Sequence, residues 1–353
     1  MDLFQILKTN EADAVLVTDP YNMQYISGFS GGEGYVYFSA NRAVIITDSR
    51  YTEATDKEKK DGFVLEECTA KRSSADILKE LYEKDKPGVI GFEDGYVTYG
   101  LYGKLCKAFD GAMLKGLGEA LNDLRIIKTP EELDRLRMAE HIGDLAFEHI
   151  LKVIKPGITE LEIAAELEYA MKKNGAVKLS FDTIVASGYH SSMPHAVPTD
   201  KKVSEGEFIT MDFGCIYESY CSDMTRTVVC GKADEDMKRM YETVLNAQLT
   251  SIKAIHSGVR GCDIHNIAAG IIDDAGYKGY FGHGLGHSVG MYIHENPRFS
   301  SKDDSVIMAG TIETVEPGIY IPGNYGVRIE DMGVVTETGY DDFAHSPKEL
   351  IEL

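Results

Sequence analysis

No apolar run in this 353-residue chain approaches the roughly 20 residues needed to cross a bilayer, so a membrane helix is not expected. The opening stretch MDLFQILKTNEADAVLVTD has an acidic second residue and lacks both a basic n-region and a small-residue cleavage site. It does not resemble a secretory signal, which points to a cytoplasmic location. Six cysteines (Cys68, Cys106, Cys215, Cys221, Cys230 and Cys262) are scattered without CxxC spacing. That excludes a zinc knuckle or a redox pair and leaves reduced structural thiols as the expectation. Positive charge is also scarce, with 36 Lys and Arg against 57 Asp and Glu, a net charge of −21. A chain with so little basic surface is not expected to bind nucleic acid.

The proportions that are present, 43% hydrophobic and 26% charged residues, are those of a globular protein. The length is too great for one ordinary core and predicts two domains, residues 1–122 and 123–353. In the first, the buried-strand runs Ala14–Val17 and Ala43–Ile46 alternate with helical spacing over 75–82, which predicts an α/β domain. The glycine-rich stretch 28–34 lacks the Lys-Ser/Thr ending of a phosphate loop and reads as an ordinary loop. At the start of the second domain, Thr129-Pro130-Glu131-Glu132 combines an N-cap, a first-turn proline and a capping box. A second helix opens at Thr159 with Glu162 as its box partner and stops at Asn174-Gly175. His141 and His149 fall on the first of these helices, where a surface or core role is expected.

Beyond Gly175 the pattern changes to strands and glycine-rich turns rich in carboxylates and histidines. Segments 207–214 and 225–230 read as strands, and a hairpin centred between Tyr217 and Glu218 sets Asp212 opposite Asp223. Opposed like charges destabilise a strand pair, and a bridging cation relieves that repulsion. Taken alone, the pair fits equally well a loop aspartate beside a solvent-facing one. A second hairpin centred on Gly323 sets Glu316 opposite Glu330, and two such coincidences are hard to explain as surface charge. The stretch 282–295 adds His283, His287 and His294 among glycines; without the HEXXH spacing of a helical zinc site, the run alone fits a structural loop as well as a ligand set. Four carboxylates and one imidazole suit two divalent ions of the manganese, cobalt or iron type better than one tetrahedral zinc.

The strings MDFG, SDMTRT, HGLGH followed by IHE, TVEPGIY and VRIED occur in this order and at compatible spacing. They resemble those of the pita-bread metallopeptidases, the family of aminopeptidase P, prolidase and methionine aminopeptidase. The N-terminal segment resembles the creatinase-like domain that aminopeptidase P and prolidase carry. The resemblance implies a creatinase-like α/β domain followed by a catalytic α+β domain whose curved antiparallel sheet is covered by helices. It further implies Asp212, Asp223, His287, Glu316 and Glu330 as ligands of two divalent metal ions per subunit, with Mn2+ expected ahead of Co2+, Fe2+ or Zn2+. Glu316 would also act as base or proton shuttle. His195 and His294 would assist at the reacting carbonyl, and His283, Tyr320 and Arg328 would line the substrate side. Ser288 and Ala196 stand where the family often has glycine, which alters the pocket's shape and leaves the ligands in place. Tyr189-His190 is an unfamiliar pair in its loop, and a surface role is expected for His190 ahead of a pocket role.

The implied partners are proline-containing peptides, and the implied assembly is a homodimer. A bond to proline is a tertiary amide without N–H, so cleaving it calls for a dedicated pocket and a polarised carbonyl. The first expectation is an Xaa-Pro aminopeptidase. The nearest alternative is an Xaa-Pro dipeptidase with the same site, and a remoter one is a non-catalytic peptide-binding protein on this fold.

Overall fold

Four consecutive apolar residues, Ala14–Val17, form a strand, β1, that is buried along its whole length. Val15 and Val17 pack on one face against Ile6, Leu7, Met23 and Ile26, and Ala14 and Leu16 pack on the other against Ile77, Leu78, Leu81 and Leu105. A strand covered on both faces has no solvent side toward which polar residues would alternate. The computed structural model describes residues 2–353. Contacts divide the chain into two units, Met1–Arg125 and Ile126–Leu353.

In the first unit, β1 is joined by β2 (Tyr35–Ser39), β3 (Ala43–Asp48), β4 (Val64–Cys68), β5 (Val89–Phe92) and β6 (Met113–Gly116). The sheet order is β4-β3-β2-β1-β5-β6. Strand β2 runs antiparallel to both its neighbours, and the remaining pairs are parallel. Helices α1 (Leu3–Thr9), α2 (Pro20–Ser27), α3 (Thr52–Glu58), α4 (Ser74–Asp85) and α5 (Tyr99–Ala108) complete an α/β unit.

The second unit opens on α6 (Pro130–Ile150) and α7 (Glu160–Lys173), each starting with the expected capping box, Thr129 with Glu132 and Thr159 with Glu162. Two further helices are α8 (Glu235–Ala254) and α9 (Gly261–Ile272). Strands β7 (Lys178–Leu179), β8 (Ile184–Ser187), β9 (Glu207–Phe213), β10 (Cys215–Tyr217), β11 (Tyr220–Cys221) and β12 (Met224–Cys230) precede α8. After α9 come β13 (Gly286–Ser288), β14 (Glu295–Phe299), β15 (Ile312–Val315), β16 (Gly318–Ile321), β17 (Tyr325–Arg328), β18 (Asp331–Val335) and β19 (Tyr340–Asp342).

The two-residue period of β9 decides what each face carries. Ile209, Met211 and Phe213 join Ile142, Phe147, Ile163 and Leu167 in one core beneath α6 and α7. On the opposite face Phe208 joins Val244, Ile264, Val315, Ile319 and Val327 in a second core that includes α8 and α9. Asp212 lies on this second face, at the end where the apolar filling stops. Among the described residues, no helix is long and apolar enough to cross a membrane.

The first hairpin differs from the expected register. Asp212 pairs with Thr225, not Asp223, and the pairs Ile216 with Cys221 and Tyr217 with Tyr220 continue the same register. The turn consists of Glu218 and Ser219, both with positive φ (43° and 74°). Two left-handed residues in succession suit the twist of a tight hairpin, but Glu-Ser carries none of the Asn-Gly chemistry that normally marks such a turn. The displacement is two residues, so Asp223 stays on the same face as Asp212 and sits diagonal to it.

The second hairpin has the expected register. Val315 pairs with Asp331 on one side and Gly318 with Arg328 on the other, which places Glu316 opposite Glu330.

Candidate metal centre and its cleft

Three separate strand pairs deliver the site's side chains. Asp212 and Asp223 come from the β9–β12 ladder, and Glu316 and Glu330 from the chain between β15–β18 and β16–β17. An isolated bridge between Thr225 and Glu330 joins the two ladders. There the Glu330 N–H donates to the Thr225 carbonyl at 3.0 Å, and the Thr225 hydroxyl donates to Glu330 Oε2 at 2.7 Å. Arg226 Nη1 donates to the Glu330 carbonyl at 2.6 Å, and Arg226 Nη2 donates to buried Asp331 Oδ1 at 2.6 Å.

His287 arrives from β13, where its N–H donates to the Thr314 hydroxyl at 3.1 Å. Gly286 beside it tolerates no side chain, since a Cβ there would stand 1.9 Å from the Thr314 carbonyl oxygen. Gly286→Ala is therefore expected to force β13 away from β15, destabilising the protein by about 3 kcal/mol and weakening metal uptake through His287. Thermal unfolding together with a metal titration checks both effects.

The His287 Nδ1–H donates to the Ser288 carbonyl at 3.1 Å, which leaves the lone pair on Nε2. Nε2 lies 3.5 Å from Asp223 Oδ2 and 3.8 Å from Glu316 Oε1. Asp223, His287 and Glu330 each offer one atom within 4.8 Å of the others. They are 4%, 6% and 1% exposed, too little for water to screen them. Asp212 stands beside this trio, paired with Arg328 Nη2 at 2.6 Å, and its buried Oδ1 has no hydrogen-bond partner.

Burial pushes the Asp223 and Glu316 carboxyls well above the usual range, and the neighbouring carboxylates add to the effect. Glu330 is pushed up to about 8, first by burial and then by the charge of Asp212. Burial, aided by His294, lowers His287 to about 3. Raised carboxylates beside a neutral imidazole with a free lone pair form a donor set that a divalent cation satisfies. The orphaned Oδ1 of Asp212 fits the same reading.

Above this group opens a cleft of about 400 Å³ whose walls include His195, Asp212, His283, His287, His294, Arg298, Glu316 and Arg328. His195 and His294 are exposed, and the His294 ring meets His287 edge-on at 4.5 Å between centroids. Burial and the charge of Arg298 lower the His294 pKa. One wall is a relay of hydrogen bonds. Arg328 Nη1 donates to the Tyr320 hydroxyl at 2.8 Å, Tyr320 lies 3.0 Å from His283 Nε2, and His283 Nδ1 donates to the Gly284 carbonyl at 2.7 Å. Burial and Arg328 lower His283 to about 4, so it is neutral and Nε2 accepts from Tyr320.

The metal-ligand, catalytic and substrate-side residues expected from the sequence thus meet at this cleft or directly beneath it, with Arg328 bonded to Asp212 and not only facing the cleft. Thr225, Arg298 and Glu160 went unassigned. Thr225 shares a strand face with Asp223, so alternation alone could have found it. Arg298 offers no such signal. Its guanidinium faces the cleft and has no hydrogen bond or ion pair among the described residues. His190 is not a surface residue but is held by buried Glu160 at 2.9 Å. Behind the cleft, buried Lys128 Nζ reaches Glu295 Oε2 at 3.1 Å and fixes the residue after His294.

Residues 134–337 match the model of metallopeptidase family M24, and residues 2–127 match the creatinase/prolidase N-terminal domain. The chain is 37% identical to an Xaa-Pro dipeptidase of Pyrococcus furiosus over 350 residues, covering 99% of this chain and 98% of that one. Its structure is similar to that of an Xaa-Pro dipeptidase from Bacillus anthracis, with a TM-score of 0.96, 40% identity, and 99% and 97% of the two chains covered. It is also similar to an X-Pro aminopeptidase from Thermotoga maritima, with a TM-score of 0.92, 35% identity, and 99% and 100% covered.

Proposed function

The chain belongs to metallopeptidase family M24, with a creatinase/prolidase N-terminal domain ahead of a pita-bread catalytic domain, and on that premise we propose that it hydrolyses the bond between an N-terminal residue and a following proline. The observation that carries this reading is the buried trio Asp223, His287 and Glu330 at the base of a cleft of about 400 Å³. With Asp212 and Glu316 beside it, the trio would hold two divalent cations, with Mn2+ the proposed ion. When bound, such ions supply a water acidified toward neutral pH and polarise the attacked carbonyl.

The remaining work falls to the chain's own groups. Glu316, with Oε1 3.8 Å from His287 Nε2, takes the proton that the attacking water gives up and passes it to the prolyl nitrogen as that nitrogen leaves. A prolyl nitrogen has no proton of its own, so the C–N bond cannot break cleanly without one. His294 and His195 at the cleft wall hydrogen-bond the carbonyl oxygen as negative charge develops on it. The Arg328–Tyr320–His283 relay keeps Asp212 oriented and forms a rigid wall for the substrate.

The unpaired guanidinium of Arg298 favours a dipeptide, because a free carboxylate directly after proline is the partner it lacks. The Pyrococcus and Bacillus relatives support the same dipeptidase form. The Thermotoga structure supports the aminopeptidase form as the second reading. A homodimer is part of the proposal and rests on the sequence resemblance.

Hydrolysis of an Xaa-Pro dipeptide, its C-terminal amide and an Xaa-Pro-Xaa tripeptide, after chelation and after Mn2+ is restored, tests the proposal. The dipeptide is expected to exceed its amide by about 10–100-fold in kcat/KM, with most of that advantage lost in Arg298→Ala. Preference for the tripeptide selects the aminopeptidase form. No cleavage of any of the three by the Mn2+-restored protein rejects both forms.

A further inference from the structure

The segment 187–199 carries Pro194 and His195 to the cleft and has almost nothing apolar to hold it. Tyr189, Met193 and Val197 along it are 60%, 44% and 74% exposed. Hydrogen bonds must therefore decide its conformation, and most of them converge on one carboxylate. Glu160, the first residue of α7, has a side chain fully out of solvent. It accepts from Ser187 N–H at 2.8 Å and Ser187 Oγ at 2.9 Å, from His190 Nδ1 at 2.9 Å, and from Thr199 N–H at 3.1 Å and Thr199 Oγ1 at 2.8 Å. These donors lie at both ends of the segment and at its short 3-10 turn, Gly188–Ser192. On the far side, Gly326 N–H donates to Ser191 Oγ at 2.9 Å, and Arg328 Nη1 donates to the Pro194 carbonyl at 3.3 Å.

We propose that Glu160, with His190 as its partner in mid-segment, is a positioning residue that holds His195 and the Pro194 carbonyl in place at the cleft. This rests on the role given to His195 above. The arrangement calls for an anion. Five donors converge on two oxygens, and a carboxylate accepts from all of them, whereas a carboxamide would turn its own NH2 against some of the donors. The start of α7 favours negative charge for the same reason it favours any anion. Burial alone would raise the Glu160 pKa, but the hydrogen bonds from Thr199, Ser187 and His190 outweigh it and keep the group ionised.

The test uses the full chain in Mn2+ with an Xaa-Pro dipeptide, comparing Glu160→Gln in the wild-type and His195→Ala backgrounds. Alongside it, amide hydrogen exchange is followed over residues 187–199 in metal-free protein. Glu160→Gln is expected to lower kcat about tenfold or more with KM changed less than about threefold. In the His195→Ala background the same change is expected to be worth less than about twofold, because the two act as one unit. Exchange across the segment should rise about tenfold or more while β9 is unaffected.

Equal losses in both backgrounds, or unchanged exchange, overturn the proposal. If Glu160→Gln does not fold, His190→Ala removes one donor of the five and should show the same dependence on His195 at about two- to fivefold; an effect independent of His195 overturns the proposal equally. Wild-type protein that cleaves no Xaa-Pro peptide rejects the proposed function, and the exchange measurement still decides whether Glu160 holds the segment.

Discussion

Glu330→Gln is expected to abolish tight metal uptake and to lower kcat/KM on an Xaa-Pro dipeptide by about 1000-fold or more, while the metal-free protein folds at least as well as the wild type. The first part follows from the site's composition. Glu330 is one of three buried groups whose donor atoms lie within 4.8 Å of each other, and a carboxamide contributes no charge to hold a cation. Removing the polarising centre forfeits several kcal/mol of transition-state stabilisation, and about 4 kcal/mol corresponds to roughly a thousandfold in rate.

The second part follows from what Glu330 does without metal. Its carboxyl is pushed up to about 8 because it is buried beside Asp212, so ionising it opposes folding. Glutamine is nearly isosteric and can still accept the 2.7 Å hydrogen bond from Thr225. The variant should therefore lose function without losing structure. Metal content by atomic absorption, dipeptide kinetics and a melting curve in chelator decide the matter together. A variant that takes up metal normally and hydrolyses at the wild-type rate removes Glu330 from the centre.

Metal-free wild-type protein is expected to lose stability as pH rises from 6.5 to 8, and metal-loaded protein is expected to lose less. Glu330 titrates near 8 when folded and near 4.5 when unfolded. The folded state therefore keeps a proton that the unfolded chain has released, and its contribution is complete below 4.5 and lost as pH rises through 8. Asp223 and Glu316, raised by burial and by their neighbours, act in the same direction. His287 acts in the opposite one. Lowered to about 3 from 6.5, it contributes stability above 6.5 that is lost as pH falls through 3.

Between 4.5 and 6.5 the two effects oppose each other, and above 6.5 the carboxyls act without the imidazole. For Glu330 alone, 1.5 pH units correspond to roughly 2 kcal/mol, or about 4–8 °C in melting temperature. Bound cations replace those protons, so the part of the slope that these carboxyls supply should vanish and metal binding should release protons into the buffer. Calorimetric melts with and without chelator across this range test the sign. A metal-free melting temperature that stays level or climbs from pH 6.5 to 8 contradicts the assigned electrostatics.

Much of the architecture follows from short-range rules. The capping boxes at Thr129 and Thr159 are local hydrogen-bond chemistry, and both helices start where those residues place them. The unbroken apolar runs of β1 and β3 required cover on both faces, and β1 has helices on each side. Alternation fixes which face each carboxylate is on, and for that reason a two-residue error at the Glu218-Ser219 turn still left Asp212 and Asp223 on one side of the sheet.

From the sequence alone came two domains, the helix starts, the strand faces and the family whose motifs carry Asp212, Asp223, His287, Glu316 and Glu330, because propensity, periodicity and capping act over a few residues. Only the tertiary structure decided that Arg328 would hold Asp212, that Thr225 would bridge to Glu330, that Arg298 would face the cleft unpaired, and that Glu160 would gather Ser187, His190 and Thr199. The pairings among these depend on residues about 30 to more than 100 positions apart meeting in a buried space. There the cost of an unpaired polar group selects the partner, and no local pattern records that cost.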